Sequence, residues 1–534
     1  MTRNYDSNAL KSRNQSAAAP RQGNARGKQR TARMLTFILG AAISVLPGSI
    51  RGHQLVPAAQ AGSLPSAIES LRPISGASYD PAPSDDPLGS NGNVPGGPAA
   101  NRSFVYEDSD FFNDDFKALW ATDSTGTGRN DLQTMKAAGV NFLHIYNWNP
   151  ARNHDNFLNT ADDDGIKVMI PISNYTASLT DASCCGIPPA TAGFNAAFNN
   201  VKAIFNEIYP NGGTTPHRGA KVWDIMNEFD FEQAGPEKVA FIIQSVLSLE
   251  QQRGVPLAKQ LPFAVPVSFA VRDAQNYRAD NAPQPAIYAQ AEAIYKQLHP
   301  GQRPPGGVLA IMALSIAFEN AQTSYKRGSE QAVVVPAFPA DFWTTRFIAV
   351  VNPFEDGTVT NPYLTDVSAG FQSAFPGTNA WNKLPPMFFG EYGKNRASNV
   401  SPTDQATFVA RQMTCVYPLA LDTSTLPGQY FLGINAFEFS PVCKNKYWDI
   451  FGFTGNGNSA DPLQGPGCDG IAIALNNTCS NPAQTQCANA TPQPSTFTMH
   501  KTSQGFGYRV DQLIAFPEWT SFINGFQATS VQCP

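Results

Sequence analysis

The chain has 534 residues, of which 42% are hydrophobic and 15% are charged, and it contains 35 Phe and 7 Trp. This composition indicates a globular protein with a large core and excludes a disordered chain. The net charge of −5 argues against nucleic acid and anionic membranes as partners, because both attract basic surfaces.

The first predicted element is an export signal. Residues 1–33 carry eight Lys or Arg and one acidic residue, and the apolar run MLTFILGAAISVLPGSI follows at 34–50. This run is short for a membrane span and typical of a signal peptide, and Ala59-Gln60-Ala61 fits the small-residue cleavage rule. We expect residues 1–61 to be a cleaved signal peptide, with an uncleaved signal anchor as the alternative. Both predict a secreted, periplasmic or cell-surface protein, which contacts a membrane only if the signal stays uncleaved.

A flexible linker is predicted next. Residues 62–110 are rich in Pro, Gly, Ser and Asp, as in DPAPSDDPLGSNGNVPGGPAA, and such sequences do not form a packed core. Cleavage after Ala61 would remove nine of the 37 basic residues and one of the 42 acidic residues, which leaves a net charge of −13. The exported body is therefore more acidic than the full chain.

Residues 111–455 alternate short β-rich runs with helical patterns, as at 194–209, 237–253 and 403–413. The β-rich runs are almost continuously apolar, as expected for parallel strands that are buried on both faces. Eight such units fit a (β/α)8 barrel, with two extra helices at 283–330 between strands five and six. A doubly wound sheet is the alternative, but the glycine-rich turn that usually follows its first strand is missing. The predicted strands are 116–123, 140–148, 166–173, 220–228, 261–270, 347–354, 385–393 and 430–439.

The eight cysteines all lie beyond residue 180, and five of them fall in the last hundred residues. An even number of cysteines in an exported chain indicates disulfides, although the sequence does not give their pairing. Residues 456–534 are predicted to form a Cys-containing C-terminal segment that packs on the barrel. The sequence contains no Cys/His cluster with the spacing of a metal site, so we expect no metal and no other cofactor.

Two of the predicted strands end in a glutamate. The fourth reads WDIMNEFD and delivers Asn227 and Glu228, and the seventh reads FFGEYG and delivers Glu391. Strands four and seven lie on opposite sides of a barrel mouth, where active sites of such barrels gather. Two carboxylates across a cleft suit glycosidic-bond cleavage, in which one donates a proton and the other attacks the anomeric carbon. Each glutamate alone has the alternative of an ordinary solvated strand end.

The two glutamate motifs resemble those of the retaining glycosidases of clan A. More narrowly, the segments at 140–172, 385–395 (PPMFFGEYGKN) and 431–453 (FLGINAFEFSPVCKNKYWDIFGF) are similar to glycoside hydrolase family 72, the β-1,3-glucanosyltransferases of fungal cell walls. The resemblance implies a retaining glycosidase or transglycosidase that acts on a β-glucan by double displacement. Its partner would be a polysaccharide or oligosaccharide, and the protein would be a monomer.

The resemblance also implies roles for individual residues. Glu228 would be the general acid/base and Glu391 the nucleophile, and Asn227 would bind the sugar 2-hydroxyl. Tyr392 would tune the charge of the nucleophile or serve in packing. Further residues at or near strand ends are candidates for sugar contacts, each aromatic one with core or rim packing as the alternative. They are Tyr146, Trp148, Asn174, Tyr175, Phe229, Asn352, Glu438 and Trp448.

The sequence departs from the family pattern at several positions. His144 stands where the family usually has arginine, and we expect it to be a satisfied buried histidine. Phe437 and Phe439 flank Glu438 where the family has tyrosines, and Phe354 lies near another usual tyrosine. These changes leave open the substrate and the balance between transfer and hydrolysis.

Other hypotheses follow from the same residues. WDIMNEFD also resembles endo-acting clan A enzymes such as mannanases and cellulases, which makes an endo-β-glycanase the second candidate. A non-catalytic glycan-binding barrel would keep the aromatic residues but would not need both carboxylates. Asp123, at the end of the predicted first strand, is a third carboxylate that we expect to cap the chain or support the site.

Overall fold

The computed structural model describes residues 64–81, 110–122, 126, 128–181, 192–230, 235–269, 286–354, 359–364, 367, 384–394, 401–439, 451–453, 497–501, 507–511, 513–515 and 517–533. All of these belong to the compact unit at 63–534. The leader, most of the linker, Asp123, Trp448 and six of the eight cysteines lie outside the described residues, so the predictions about them stay predictions.

Eight parallel strands close into a barrel in which each strand pairs with its neighbours in the chain and the last pairs with the first. This order confirms the predicted (β/α)8 barrel. Seven of the eight strands lie within the ranges predicted from the sequence. The strands are β1 (Ile74–Ser78), β2 (Phe142–His144), β3 (Lys167–Ile172), β4 (Ala220–Ile225), β5 (Phe263–Ser268), β6 (Phe347–Asn352), β7 (Met387–Tyr392) and β8 (Phe431–Ala436).

The predicted first strand is wrong. Residues Asp114–Phe116 form a 3-10 turn and Lys117–Trp120 form a short helix, while β1 lies in the segment predicted to be a linker. The sequence ISGAS of β1 carries small residues because the barrel is crowded there. A Cβ added to Gly76 would lie 1.5 Å from Oδ1 of Asn435. The barrel therefore begins before residue 111, and the prediction of a flexible linker fails at 74–78.

Helices cover the outside of the barrel. The predicted helices are confirmed at Phe194–Ile208, Pro236–Arg253 and Pro402–Val416. The extra helices between β5 and β6 are confirmed at Ala286–Leu298 and Val308–Glu319. The remaining helices are Ser66–Glu69, Asp131–Ala137, Asp155–Asp163, Asn174–Ser178, Phe342–Thr345, Leu426–Tyr430 and Pro517–Phe526, and further 3-10 turns lie at Pro210–Gly212, Leu257–Lys259 and Tyr417–Ala420. Among the helices of the described ranges, none is both long and apolar enough to cross a bilayer.

Short antiparallel strand pairs lie outside the barrel. Ser324–Tyr325 pairs with Val333–Val334 in the connection between β5 and β6. Two further pairs come from the C-terminal part of the chain, namely Phe451–Phe453 with Leu513–Ala515, and Phe497–Lys501 with Gly507–Asp511.

Apolar residues fill both faces of the strands. One cluster fills the barrel interior, and Ile68 and Leu71 belong to it, so the chain before β1 closes the end at which the strands begin. A larger cluster packs the outward faces of the strands against the helices. This double burial explains why the strands read as continuous apolar runs in the sequence. The interior cluster contains Ile74, Phe142, Met169, Val222, Ala264, Ile348, Val350, Phe388 and Leu432.

The C-terminal helix Pro517–Phe526 is fixed to the barrel domain. Gly525 allows close packing on the helix Pro402–Val416, since a Cβ there would lie 2.3 Å from Cβ of Met413. Trp519 contacts Phe439 edge to face, with ring centroids 5.6 Å apart. The disulfide Cys415–Cys533 joins the helix Pro402–Val416 to the segment that follows the C-terminal helix. The predicted Cys-containing C-terminal extension is thus confirmed.

A buried ion pair supports the start of β6. Arg346, the residue before this strand, donates to both carboxylate oxygens of Glu250 at 2.7 and 2.8 Å and to Oε1 of Gln260 at 2.8 Å. Arg346 and Glu250 are both buried. Burial raises the pKa of Glu250, and the guanidinium opposes that shift. Removal of one partner would leave an uncompensated group in the core.

We predict that Arg346→Met lowers the free energy of unfolding by about 3–5 kcal/mol, because Glu250 then stays buried without its cation. Arg218→Met serves as the matched control. Arg218 pairs with Asp163 at 2.6 Å on the surface, where such pairs contribute little. Denaturant unfolding of both variants checks the prediction, and equal losses would contradict it.

Candidate active site

Glu391 reaches the barrel mouth through an irregularity in β7. Along the β7–β8 pairing, Phe389 lies opposite Ile434 and Tyr392 opposite Ala436, so three residues of β7 advance against two of β8. Such a bulge changes the side on which following side chains project. Glycine is required beside it, because a Cβ on Gly390 would lie 2.4 Å from Val350 and 2.8 Å from Asn352.

The carboxylate of Glu391 is buried and held by two donors. The hydroxyl of Tyr146 donates to its Oε1 at 3.0 Å, and Nδ2 of Asn227 donates to the same oxygen at 3.1 Å. Burial and the charge of Glu391 raise the pKa of Tyr146 well above its ordinary value, so the phenol stays a neutral donor. Hydrogen bonds of this kind favour the ionised carboxylate. The two donors therefore fix the orientation of the Glu391 carboxylate.

The backbone after β4 adopts two left-handed conformations. Met226 has φ of 59° and Glu228 has φ of 47°, a region that costs a residue with a side chain roughly 1–2 kcal/mol. Such outliers cluster at functional sites, where the surrounding structure maintains them. Here they flank Asn227, whose backbone carbonyl accepts from Nδ2 of Asn174 at 2.9 Å. The strained turn thus aims the amide of Asn227 at Glu391 and leaves Glu228 half-buried.

An amide on β6 connects the two glutamates. Nδ2 of Asn352 lies 3.2 Å from Oε1 of Glu228 and 3.3 Å from Oδ1 of Asn227. Since Asn227 also donates to Glu391, the side chains form a continuous path from Glu228 through Asn352 and Asn227 to Glu391. The structure therefore brings five of the predicted residues together, namely Glu228, Glu391, Asn227, Asn352 and Tyr146, and Asn174 supports them from behind.

Tyr392 does not join this group. It is fully buried on the outward side of β7, its hydroxyl lies 2.7 Å from Oγ1 of Thr360, and its ring centroid lies 5.2 Å from that of Phe389. It serves in packing, which was the alternative for this residue. Phe229 is also buried in the core, and Tyr175 is half-buried and packs against the core cluster.

Glu438 lies close to the site. It is buried. Its charge raises the pKa of Tyr146, and this contribution is smaller than those of burial and of the charge of Glu391. The peptide bond before it, Phe437–Glu438, is cis. Phe437 contacts the ring of Phe354 with centroids 5.5 Å apart. These two phenylalanines, which replace the usual tyrosines, therefore pack on each other.

His144 is fully buried, as predicted, and lies beneath Glu391. Its Nδ1 is 3.2 Å from the carbonyl oxygen of Gly390, and its Nε2 is 3.1 Å from Oδ2 of Asp224. Sequence reasoning missed two residues of this group, Asp224 and Ser78. The hydroxyl of Ser78 donates to the carbonyl oxygen of Gly390 at 3.2 Å. The signal for Asp224 was an acid inside the apolar run AKVWDIM.

Trp148 belongs to a separate buried cluster. Its indole N–H donates to Glu207 at 2.6 Å, and its ring stacks on His154 with centroids 3.8 Å apart. Both nitrogens of His154 lie 2.6 Å from a carboxylate oxygen, one of Glu207 and one of Asp110. Trp148 thus has its edge and one face occupied, which fits packing, the alternative for this residue.

Within the described part of the chain, no group of His, Cys, Asp or Glu side chains has the arrangement of a metal site. The chemistry available at the mouth is that of two carboxylates, a phenol and amides. Such a set can move a proton and form a covalent ester, as nucleophilic and acid/base catalysis require.

No protein-family model and no curated protein matches the sequence. Solved structures that match include a Saccharomyces cerevisiae Gas2p mutant in complex with laminaritetraose and laminaripentaose, at 11% identity and a TM-score of 0.38, over 86% of this chain and 66% of that one. Gas2p with laminaripentaose matches at 11% identity and a TM-score of 0.39, with the same coverage. Gas2p is a glucanosyltransferase of glycoside hydrolase family 72, the family that the sequence motifs resemble. These TM-scores are too low for the structural similarity to indicate an activity.

The buried cluster around His154 predicts a pH dependence of stability. Burial lowers the pKa of His154, but Asp110 and Glu207 outweigh it and raise the pKa to about 9 from 6.5. Because the folded state binds this proton more tightly, the stabilisation is complete below pH 6.5 and is lost as the pH rises through 9. We expect a loss of about 3 kcal/mol in the free energy of unfolding over this range.

Denaturant unfolding at pH 6 and pH 9.5 measures this loss. His154→Gln is the control, since it cannot titrate and should flatten the difference. An unchanged pH dependence in that variant would assign the effect to other groups.

Proposed function

We propose that the chain is a retaining glycosidase or transglycosidase that acts on a β-glucan by double displacement. The observation that carries the proposal is the pairing of Glu228 and Glu391 at the barrel mouth, joined through Asn227 and Asn352. The two carboxylates have different surroundings, and this difference suits two different roles.

Glu391 is the nucleophile in this proposal. It is buried, and a phenol and an amide donate to one of its oxygens. This support keeps it ionised and fixes its orientation before substrate binds. Attack on the anomeric carbon would form a glycosyl ester as the bond to the leaving oxygen breaks.

Glu228 is the general acid/base. It is half-buried at the mouth, and its Oε1 accepts from Asn352. This hydrogen bond is compatible with a proton on the other oxygen. Glu228 would give that proton to the leaving oxygen and later take one from the incoming hydroxyl, which displaces Glu391.

The polymer and the acceptor are inferred from the sequence resemblance to family 72, which favours β-1,3-glucan and transfer to a second sugar. Endo-hydrolysis of a β-glucan is the second candidate, because water can serve as the acceptor in the same mechanism.

We propose that the protein works outside the cytoplasm, at a cell surface or in a cell wall. The disulfide Cys415–Cys533 supports this, since disulfides persist in oxidising compartments. The basic leader with its apolar run supports the same location.

The two glutamates should respond differently to substitution. Glu228→Ala should lose about 10²- to 10⁴-fold in kcat/KM on substrates with poor leaving groups. It should keep more activity on an activated aryl glycoside, which needs no proton. Azide should rescue this variant and give a product of retained β configuration. Glu391→Ala should be inactive on both substrates, and any azide product should be inverted.

Tyr392→Phe is the matched control, because it loses only the hydroxyl that contacts Thr360 and should keep near wild-type activity. Rescue with the two configurations exchanged would reverse the assigned roles. Full activity in both glutamate variants would favour a non-catalytic glycan-binding barrel.

Acceptor choice is tested with a laminari-oligosaccharide labelled at its reduced end. A transferase should form products longer than the starting oligosaccharide at early times, because the acceptor sugar competes with water for the ester on Glu391. Product length is read by chromatography over a range of acceptor concentrations. Only shorter products at every concentration would contradict transfer and leave hydrolysis.

A further inference from the structure

A buried charge pair lies directly under the proposed nucleophile. His144, the last residue of β2, is fully buried inside the barrel, with Nε2 3.1 Å from Oδ2 of Asp224 on β4. Asp224 is buried as well. Burying a charged or polar pair at this depth costs free energy unless its hydrogen-bond partners are well placed.

The contacts of His144 bear on where the protons of the pair lie. Nδ1 lies 3.2 Å from the carbonyl oxygen of Gly390, which can only accept, so Nδ1 must carry a proton. Nε2 faces a carboxylate, which accepts when it is ionised. A proton between Nε2 and Asp224 would satisfy both groups. Burial raises the pKa of Asp224 and the charge of His144 opposes that shift, while burial lowers the pKa of His144 and Asp224 raises it. The arrangement that places a charge near Glu391 is an imidazolium paired with an ionised aspartate.

The pair reaches the proposed nucleophile through two routes. The carbonyl of Gly390 belongs to the residue before Glu391, so the hydrogen bond from His144 holds the bulge that aims this side chain. The hydroxyl of Ser78 donates to the same carbonyl at 3.2 Å. The second route is electrostatic, since His144 and Glu391 interact through their charges.

We propose that His144 and Asp224 form a positioning pair that keeps a positive charge beneath Glu391 and so holds the nucleophile ionised at acidic pH. This proposal rests on the proposed function. His144 stands where the resembled family usually has arginine. The histidine would supply a comparable charge, but one that depends on a shared proton.

The surroundings of His144 support this assignment. Burial lowers its pKa, but Asp224, Glu391 and the carbonyl of Gly390 raise it, and the net shift is upward. The ring of Tyr146 also contacts the imidazole, with centroids 4.5 Å apart, and its phenol stays neutral. The folded protein therefore retains the imidazolium above the ordinary pKa of 6.5 and loses it as the pH rises through the raised value.

Asp224→Asn tests the pair, because it keeps the shape of the side chain and removes the charge that holds the second proton. The imidazole should become neutral, and the pKa of Glu391 should rise. The acidic limb of the pH profile of kcat/KM should then move up by about one pH unit. A purely structural role would lower activity at every pH without moving this limb, and that result would overturn the proposal.

A measurement without substrate separates this proposal from the proposed function. The full chain, labelled with ¹⁵N-histidine, is titrated by NMR, and His144→Gln identifies the resonance. Wild-type His144 should be doubly protonated at pH 6.5, and Glu391→Gln should lower its pKa. A neutral ring, or a pKa that does not change in Glu391→Gln, would overturn the pair. An enzyme that turns over no β-glucan would overturn the proposed function alone.

Discussion

The carboxylate of Glu391, buried and held by Tyr146 and Asn227, is the constraint on which the rest of the site depends. A buried anion is costly unless donors reach it. Those donors come from the chain beyond the ends of β2 and β4, on the far side of the barrel mouth. The barrel must therefore close, and its strands must keep their stagger, before this one side chain can be accommodated.

Several costly features are arranged around that anion. The left-handed residues Met226 and Glu228 place Asn227 between them. Gly390 has no side chain, and this allows Val350 and Asn352 to approach the bulge. At the opposite end of the barrel, Arg346 and Glu250 hold the start of β6, the strand that ends in Asn352. Backbone strain thus lies at the mouth, and the two apolar clusters supply the compensating burial.

Much of the fold could be predicted from the sequence, because buried parallel strands are continuous apolar runs and glutamates at strand ends interrupt that pattern. This is how β4, β7, Glu228 and Glu391 were identified. The strand β1 was missed because ISGAS carries small residues where the barrel is crowded. The pattern of FKALWATD fits a buried helix as well as a strand, since Ala118, Leu119 and Trp120 are all buried in the helix.

Other residues could not be placed by local reasoning. The bulge in β7 decides that Glu391 faces the mouth and Tyr392 faces the helices, and strand alternation alone does not reveal a bulge. Trp148 ends a predicted strand and was a candidate for sugar contact with packing as the alternative, and its partner Glu207 lies 59 residues away. His144 was correctly expected to be buried, yet its partner Asp224 is 80 positions further along the chain, on a different strand. Long-range polar pairs of this kind leave no periodic signal.

The central claim is that Glu391 forms a covalent bond to sugar. A β-glucan oligosaccharide with fluorine at the 2-position of the reacting sugar and a good leaving group at the anomeric carbon tests this directly, because the fluorine slows hydrolysis of the ester. Incubation with the full chain, followed by proteolysis and mass spectrometry, should find the sugar on the peptide that contains Glu391. The same treatment of Glu391→Gln should give no adduct. A sugar found on Glu228, or turnover without any adduct and with inverted product, would contradict the account.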